Sequence, residues 1–421
     1  MKGFEEEEKM NRKGIVYLKN KLECVRQKAI TRYSYYEGKD THQMPKIAIP
    51  RELSFAYKSV LGWNGKSVDM LADRLNIRSI ENDELNMGSI FDYNNPDVLF
   101  DSAILGALVT SCDFIYIFKD SEGNVKMQVI DGTDATGIMD TTTNLLTEGY
   151  AVLDRDSEGK VLREAYFEPF KTTFYEYYEE PEVYSIESGV EYPLLVPVVY
   201  KPSARRPFGQ SRISKACIDY QDKAKDVLTR AAVTAEFYSF PQKYVLGLSD
   251  EAESMDAFRA TISAMLRFDK DEDGDHPVVG QFSQQSMTPH IDHFKMYAAC
   301  FCGETGLTMD DIGFPQNNPS SSEAIKATHE SLRARAKKAQ KTFTTCFKNV
   351  GFVAACLRDN QTYSRTVMLE TRITWEPVIE PDSAMLAAIG DGANKINGAV
   401  PGYFQKDNLE ELTGIRAAED E

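Results

Sequence analysis

No stretch of the 421-residue chain approaches the roughly 18 consecutive apolar residues of a membrane-crossing helix, so none is expected. The amino terminus, MKGFEEEEKMNRKG, has no apolar segment behind its charges. That sets aside a signal peptide and points to the cytoplasm of the producing cell. Cysteine is sparse: seven residues, at 24, 112, 217, 300, 302, 346 and 356, scattered and odd in number. They read as reduced thiols rather than a disulfide framework. Histidine is sparser still, at five, and no Ser/His/Asp or Cys/His spacing of a nucleophilic catalyst is recognisable. Positive charge is in deficit, with 48 Lys and Arg against 65 Asp and Glu, a net charge of −17. A protein that grips DNA is basic on its contact face, so this balance argues against a sequence-reading DNA binder. It does not argue against a conduit, because an acidic wall repels phosphates and lets a duplex slide.

What is present is ordinary for a folded protein: 42% hydrophobic and 11% aromatic residues, in a length that suits two to four domains or one elaborated domain. Residues 14–36 carry apolar side chains three to four apart (Val16, Leu18, Leu22, Val25, Ala29, Tyr33), a helix stopped by Gly38. Helical patterns follow at 51–76 and 97–109. From Ile115 to Tyr200 the character changes to short strands at 114–118, 125–130, 149–153, 163–170, 173–178 and 194–200. Asp-Ser-Glu-Gly turns at 120–123 and 156–159 separate them, so an antiparallel sheet or small barrel is expected, with Pro193 and Pro197 at an edge or strand start. A helix is expected over 213–238, strands near 240–248 and 276–282 with a short helix between them, a helix over 291–303, a strand at 372–377 and short helices from 381 to 415.

Three patterns invite a chemical reading, and each fails on spacing. Gly62-Trp-Asn-Gly65-Lys66-Ser67 lacks the first Gly of a phosphate-binding loop, where Val60 stands, so a solvated loop between helices is preferred. Asp269, Asp271, Asp273, Gly274 and Asp275 open like a calcium loop, but its twelfth position is Gly280 and Pro277 interrupts it. His290, His293, Cys300 and Cys302 do not have a zinc spacing, and core or interface packing is preferred. Asp310 and Asp311 are adjacent, and adjacent carboxylates seldom form an acid/base pair, so a solvated loop is the default. No cofactor and no metal are expected.

The stretch from Gly303 to Phe347 organises the rest. Gly306 to Ser320 is a loop rich in Gly, Pro, Asn and Ser. A long helical pattern follows, with Ser320 or Ser321 as N-cap, Glu323 at the capping-box position, and Arg333, Arg335, Lys337, Lys338 and Lys341 towards its far end. Ala324, Ile325, Ala327, Leu332, Ala336, Ala339 and Phe343 form a narrow apolar stripe suited to close helix packing. The basic face reads as a charged face pairing with neighbouring carboxylates ahead of a DNA contact.

The run G-L-T-x-x-x-x-G-F-x-x-x-N-P-S-S-x-E-A-I, at 306–325, resembles the channel loop and long helix of tailed-bacteriophage portal (head-to-tail connector) proteins of the siphophage type. The turn RRPFGQSRIS at 205–214, the Tyr-Tyr-x-Gly at 35–38 and the Trp375-x-Pro377 followed by an Ala-rich helix are similar to the same family. The resemblance implies an α+β portal fold: a β-rich wing (1–204), a first stem helix (205–238), an inserted α/β clip (239–289) and a second stem helix (290–304). A channel loop (305–320), a long helix (321–358) and a C-terminal wing strand with a short helical crown (359–421) complete it. It further implies a non-enzymatic, dodecameric ring at one capsid vertex of the virion, assembled from the host cytoplasm, through which double-stranded DNA is packaged and ejected. Its partners would be the terminase large subunit, a head-completion or adaptor protein, the major capsid and scaffolding proteins and, transiently, DNA, with no membrane. Carried over, Thr308, Gln316, Asn317, Asn318 and Ser320 would meet DNA, and Lys326, Arg333 and Lys337 would be channel-facing cations. Lys243, Tyr244, Asp271, Asp273 and Phe282 would contact partners at the clip. The rival readings are a monomeric β-rich binding module and a nucleic-acid-processing enzyme of the packaging machinery.

Overall fold

A computed structural model of the protein describes residues 12–42, 58–178, 180–239, 243–246, 278–281, 286–315, 328–378 and 383–415. In chain order the elements are α1 (Gly14–Tyr36), α2 (Trp63–Ala72), β1 (Ile77–Glu81), α3 (Met87–Asp92), α4 (Pro96–Thr110), β2 (Cys112–Lys119), β3 (Val125–Ile130), β4 (Ala135–Met139), β5 (Leu146–Arg155), β6 (Val161–Glu168), β7 (Lys171–Glu176), β8 (Glu182–Glu187) and β9 (Leu195–Val199). They continue as α5 (Lys215–Ser239), β10 (Lys243–Leu246), β11 (Val278–Gln281), α6 (Thr288–Thr305), α7 (Glu330–Asp359), β12 (Arg372–Trp375), α8 (Ser383–Ala399) and α9 (Lys406–Thr413). The chain divides into two compact units, one of Met1–Asp40, Gly62–Lys215 and Thr305–Glu421, the other of Thr41–Leu61 and Ala216–Glu304.

The first unit is built in layers around two antiparallel sheets, of strand order β4-β5-β6-β7-β8 and β3-β2-β9. Strand alternation sorts the larger sheet's side chains. Ala165, Phe167 and Phe174 lie on one face and are fully buried or nearly so; Phe167 meets Tyr116 of β2 edge-on at 5.2 Å. Tyr150, Val152 and Tyr166 lie on the other, packed against Leu18 and Leu22 of α1. On the far side of the smaller sheet, Phe343 and Phe347 of α7 are fully buried, Phe343 stacking on Tyr200 and Phe347 meeting Phe100 of α4. Each such ring removed from water stabilises the fold by about 1.5–3 kcal/mol.

Two buried carboxylates fasten α1 to the sheet. Glu148 accepts from the backbone N–H groups of Lys13 (3.0 Å) and Gly14 (2.9 Å) and from the Tyr166 hydroxyl (2.7 Å). A carboxylate at a helix N-terminus meets orphan donors and the positive end of the helix dipole. Glu164 accepts from Lys19, from the Tyr150 hydroxyl (2.5 Å) and from the Tyr177 hydroxyl (2.8 Å). Burial, then these carboxylates, push the Tyr177 phenol up to about 12 and raise Tyr150 and Tyr166 further.

The turns follow the sequence closely. In both Asp-Ser-Glu-Gly hairpins the aspartate Oδ1 accepts from two backbone N–H groups, Glu122 and Asn124 at Asp120, Glu158 and Lys160 at Asp156. Gly123 and Gly159 take the left-handed backbone the turn requires. Pro197 sits within β9, an edge strand, where a missing donor costs no ladder bond. A two-stranded sheet joins β1 to β12, from Ile77↔Trp375 to Glu81↔Arg372.

Several expectations need correction. Of the two alternatives for the strand-rich region the antiparallel sheet is the one found: among the described residues its strands, β2 to β9, form two open sheets and no closed barrel. The 51–76 helix narrows to Trp63–Ala72, followed by β1, with residues 51–57 outside the described set. Gly62–Ser67 is not a solvated loop. It opens α2, with Asn64 and Ser67 fully buried, and a Cβ on Gly65 would lie 2.6 Å from the Tyr36 carbonyl. Strands β4 and β8 and helix α3 were not read from the sequence.

In the second unit α5 and α6 are the long helices, and β10 pairs antiparallel with β11 from Lys243↔Gln281 to Leu246↔Val278. Thr229 donates to Ser59 (3.1 Å), and the Thr234 hydroxyl bonds His290 (3.2 Å). His293 packs on the Tyr297 ring at 4.8 Å. Cys302 is buried as expected of a packing residue, whereas Cys300 is exposed.

Candidate DNA-contact loop and docking surfaces

The root of the expected channel loop is held by backbone geometry. Gly306 follows α6 with φ +76°, and a Cβ there would lie 2.7 Å from Ser331 Oγ and 3.1 Å from Arg335 Nε. Glycine takes this left-handed backbone without strain and leaves room for the turn to close against the start of α7. The preceding carbonyl, of Thr305, accepts from Arg212 Nη2 (2.6 Å), while Arg212 Nε donates to the Ser67 carbonyl (3.2 Å). This guanidinium is buried, and its hydrogen bonds to carbonyls offset part of the cost of burying it.

Leu307 is buried, and Thr308 opens a short reciprocal cap. The Thr308 N–H donates to Asp311 Oδ2 (2.7 Å) and the Asp311 N–H donates to Thr308 Oγ1 (3.1 Å). A 3-10 turn over Asp310–Ile312 ends at Gly313, φ +97°. Asp311 is therefore a cap and not half of a solvated carboxylate pair, which corrects the sequence reading. His329 Nδ1, beside the start of α7, comes within 3.9 Å of Asp311 Oδ2, so the chain departs and returns at one place. Of the residues carried over to the loop, Thr308 is thus engaged in the cap. Gln316, Asn317, Asn318 and Ser320 lie outside the described residues, as do Glu323 and Lys326.

On α7 the described part of the apolar stripe is as read: Leu332, Ala336, Ala339 and Phe343 are buried, continued by Phe347 and Val350, while Ala324, Ile325 and Ala327 lie outside the described residues. The basic face divides. Arg333 forms a bidentate pair with Glu330 on its own helix, at 2.6 and 2.8 Å, which raises the guanidinium's proton affinity and lowers the carboxyl's. Lys337, Lys338 and Lys341 are exposed and form no ion pair among the described residues. The expected pairing of this face with carboxylates on a neighbour is therefore not what is found: Arg333 pairs within its own helix and the three lysines form no ion pair among the described residues.

Of the carried-over clip residues, Lys243 and Tyr244 fall on β10, and Asp271, Asp273 and Phe282 lie outside the described residues, as does the whole acidic turn 269–275. Sequence reasoning missed a junction in the second unit. His42 bridges two carboxylates one turn apart on α5, with Nε2 2.9 Å from Asp226 and Nδ1 3.5 Å from Asp222. The i, i+4 aspartates were visible, but nothing local announces a histidine so distant in sequence. Among the described residues no cluster of His, Cys, Asp and Glu could hold a metal ion.

Comparison with known sequences points one way. The family described as "Phage portal protein, SPP1 Gp6-like" matches residues 16–405. A portal protein of Mycobacterium phage L5 is 24% identical over 400 residues, covering 89% of this chain and 79% of that one. A portal protein of Mycobacterium phage D29 is 25% identical over 235 residues, covering 54% and 47%. Among solved structures, a chain from "Neck of native GTA particle computed with C12 symmetry" aligns over 92% of this chain and 99% of its own, at 12% identity and a TM-score of 0.45. One from "Virion of native gene transfer agent (GTA) particle" aligns over 93% and 100%, at 12% identity and a TM-score of 0.42.

Proposed function

Since this chain belongs to the SPP1 Gp6-like family of phage portal proteins, we propose that it forms the closed ring at one capsid vertex through which double-stranded DNA is packaged and ejected. The family match over 16–405 carries the reading. Ring closure is the outcome of a heterologous interface whose rotation returns to its start. The role is structural rather than catalytic, and the protein resides in the virion after assembly in the host cytoplasm.

In this reading the second unit holds the stem helices, α5 and α6, and the clip between them; the division of the chain near Lys215 and Glu304 supports it. The clip, 239–289, receives the terminase large subunit during filling and a head-completion or adaptor protein afterwards. The first unit supplies the wing, which meets the capsid and scaffolding proteins, and α8 and α9 supply the crown. The loop beyond Phe314 touches DNA through neutral side chains, and Lys337, Lys338 and Lys341 supply phosphate contacts. A net charge of −17 keeps those contacts few and the duplex mobile.

Native mass spectrometry with negative-stain imaging of the purified chain tests the reading. The expected result is a ring of about a dozen copies with a central hole, closed by cyclic symmetry. A strictly monomeric chain that hydrolyses ATP would sink it.

A further inference from the structure

Strand β8 is exposed on both faces and along one edge. It ends its sheet, and Val183 and Ile186, which alternate to opposite faces, are 62% and 54% exposed. Ile186 sits opposite Thr172, on the face that β2 and β9 cover elsewhere; Val183 sits opposite Tyr175, on the face that α1 covers elsewhere. Neither layer reaches as far as β8, so the strand overhangs its own core. Its charges are negative: Glu180, Glu182 and Glu187 are exposed and form no ion pair among the described residues. An edge strand with apolar side chains on both faces is a pairing surface, and its flanking glutamates select what pairs with it.

A surface of opposite sign lies elsewhere in the same unit. The turn after β9 exposes Lys201, Arg205 and Arg206, none in an ion pair among the described residues. The turn is rigid: the Ser203 N–H donates to the Arg206 carbonyl (3.1 Å) and the Arg206 N–H to the Ser203 carbonyl (2.9 Å). Other cations crowd it. Burial, then the charge of Arg206, lowers the Arg32 guanidinium's proton affinity, and Lys21 Nζ lies 4.3 Å from the Phe208 ring centroid. In a chain of net charge −17, an unpaired cation cluster on a stiff turn is the exception to the surface around it.

Within one copy the two surfaces stay apart. The chain leaving β8 is held at the turn between β6 and β7, where the Phe170 N–H donates to the Val190 carbonyl (2.9 Å) and the Ser188 N–H to the Phe170 carbonyl (2.8 Å). The basic turn begins beyond the other end of β9, about 15 Å along an extended strand. Complementary patches separated on one copy are what a heterologous contact joins between two. We propose that the turn Lys201–Arg206 of one copy seats on one face of the overhanging strand β8 of the next, with Arg205 and Arg206 against Glu182 and the turn's backbone over Ile186 of the same face, or against Glu187 and over Val183 of the other. The proposal rests on the ring reading and names the surfaces that close the ring.

Charge reversal tests it. R205E/R206E and E182K/E187K should each lower the closed-ring fraction in native mass spectrometry by about tenfold or more at fixed concentration, since like charges facing across an interface cost several kcal/mol. A chain carrying all four changes restores opposite charges at every contact and should recover the wild-type fraction. Zero-length carbodiimide coupling of the wild-type ring, followed by peptide mass spectrometry, should join Lys201 of one copy to Glu182 or Glu187 of another in isotopically mixed samples. This second readout needs no variant to fold. Wild-type assembly by either reversal, absence of recovery in the fourfold variant with no intermolecular coupling, or normal rings of R205E/R206E that fail only to retain DNA would each overturn the contact. A wild-type chain that forms no ring would overturn the ring reading itself, so the two failures are distinct.

Discussion

The carboxylate of Asp113 fills the space that a side chain on Gly106 would occupy. A Cβ built on Gly106 would overlap Asp113 Oδ2, while Oδ1 accepts from the Gly132 N–H (3.0 Å) and the Thr110 hydroxyl (3.1 Å). Helix α4 therefore carries a glycine in its interior because a buried aspartic acid from β2 lies against it. Gly106→Ala should destabilise the first unit by about 2 kcal/mol or more, as overpacking does, despite the ~1 kcal/mol that alanine gains in helix propensity. Denaturant unfolding gives the sign directly, and a stabilised variant would contradict this packing.

The same carboxyl predicts a pH dependence. Burial first, and the nearby Asp131 second, raise Asp113 well above the usual carboxylate range. A group whose folded value is raised favours folding fully below its unfolded value, near 3.9, and loses that advantage as pH rises through the folded value. Stability should therefore fall with rising pH from about pH 4 upward on account of this group. Asp113→Asn keeps an acceptor for Gly132 and removes the ionisation, so its stability relative to wild type should rise with pH. Denaturation midpoints across that range check the slope, and parallel curves for the two proteins would refute it.

Glu148 is the anchor of α1. Replacing it with alanine leaves the Lys13 and Gly14 N–H groups and the Tyr166 hydroxyl without their acceptor, at a cost of about 2–3 kcal/mol. Hydrogen exchange should accelerate over the first turns of α1 before it does in β5. Glu148→Gln should fall between, since it retains an acceptor and loses the charge that favours a helix N-terminus.

In the proposed reading Lys337, Lys338 and Lys341, which form no ion pair among the described residues, meet DNA phosphates in place of the paired Arg333. Changing Lys337, Lys338 and Lys341 together to alanine should weaken non-specific duplex binding and flatten its logarithmic salt dependence by ~0.9 for each phosphate no longer neutralised. Arg333→Ala should change the slope less, because Glu330 already holds that guanidinium. An unchanged salt slope in the triple variant would place these lysines away from DNA.

Capping fixes the entrance to the loop. Asp311→Ala should cost about 1 kcal/mol, the usual worth of such a cap, and raise exchange at the Thr308 amide. If the loop acts in DNA contact and not in assembly, replacing 316–320 with Gly-Ser residues should leave rings intact while reducing DNA packaging or retention.

Local signals were strong where they acted within a few residues. The helix ended by Gly38, the two Asp-Ser-Glu-Gly turns and the stripe from Leu332 to Phe343 all follow from spacing and turn chemistry, and the structure places them as read. What escaped depends on distant partners. Strand β8, Glu-Val-Tyr-Ser-Ile-Glu, lacks a buried face, so no alternation marks it. Asn64 and Ser67 look like loop residues until α1 and α4 enclose α2. The Asp311 cap needs only its own four residues, yet its adjacency to Asp310 drew the reading towards a solvated pair. For the loop itself, Gln316, Asn317 and Asn318 lie outside the described residues, and their role rests on the family and on how the root is built.

Arg212 gives that root a mechanical character. Its guanidinium grips the Thr305 carbonyl at the last residue of α6 and the Ser67 carbonyl in α2, and its own N–H donates to the Leu108 carbonyl of α4 (2.8 Å). A tug on the loop is therefore delivered to two helices of the first unit at once, through bonds shielded from water, before it can peel the chain away from α7. If DNA passes the loop as proposed, drag on its root would be carried into the body of the first unit through these bonds.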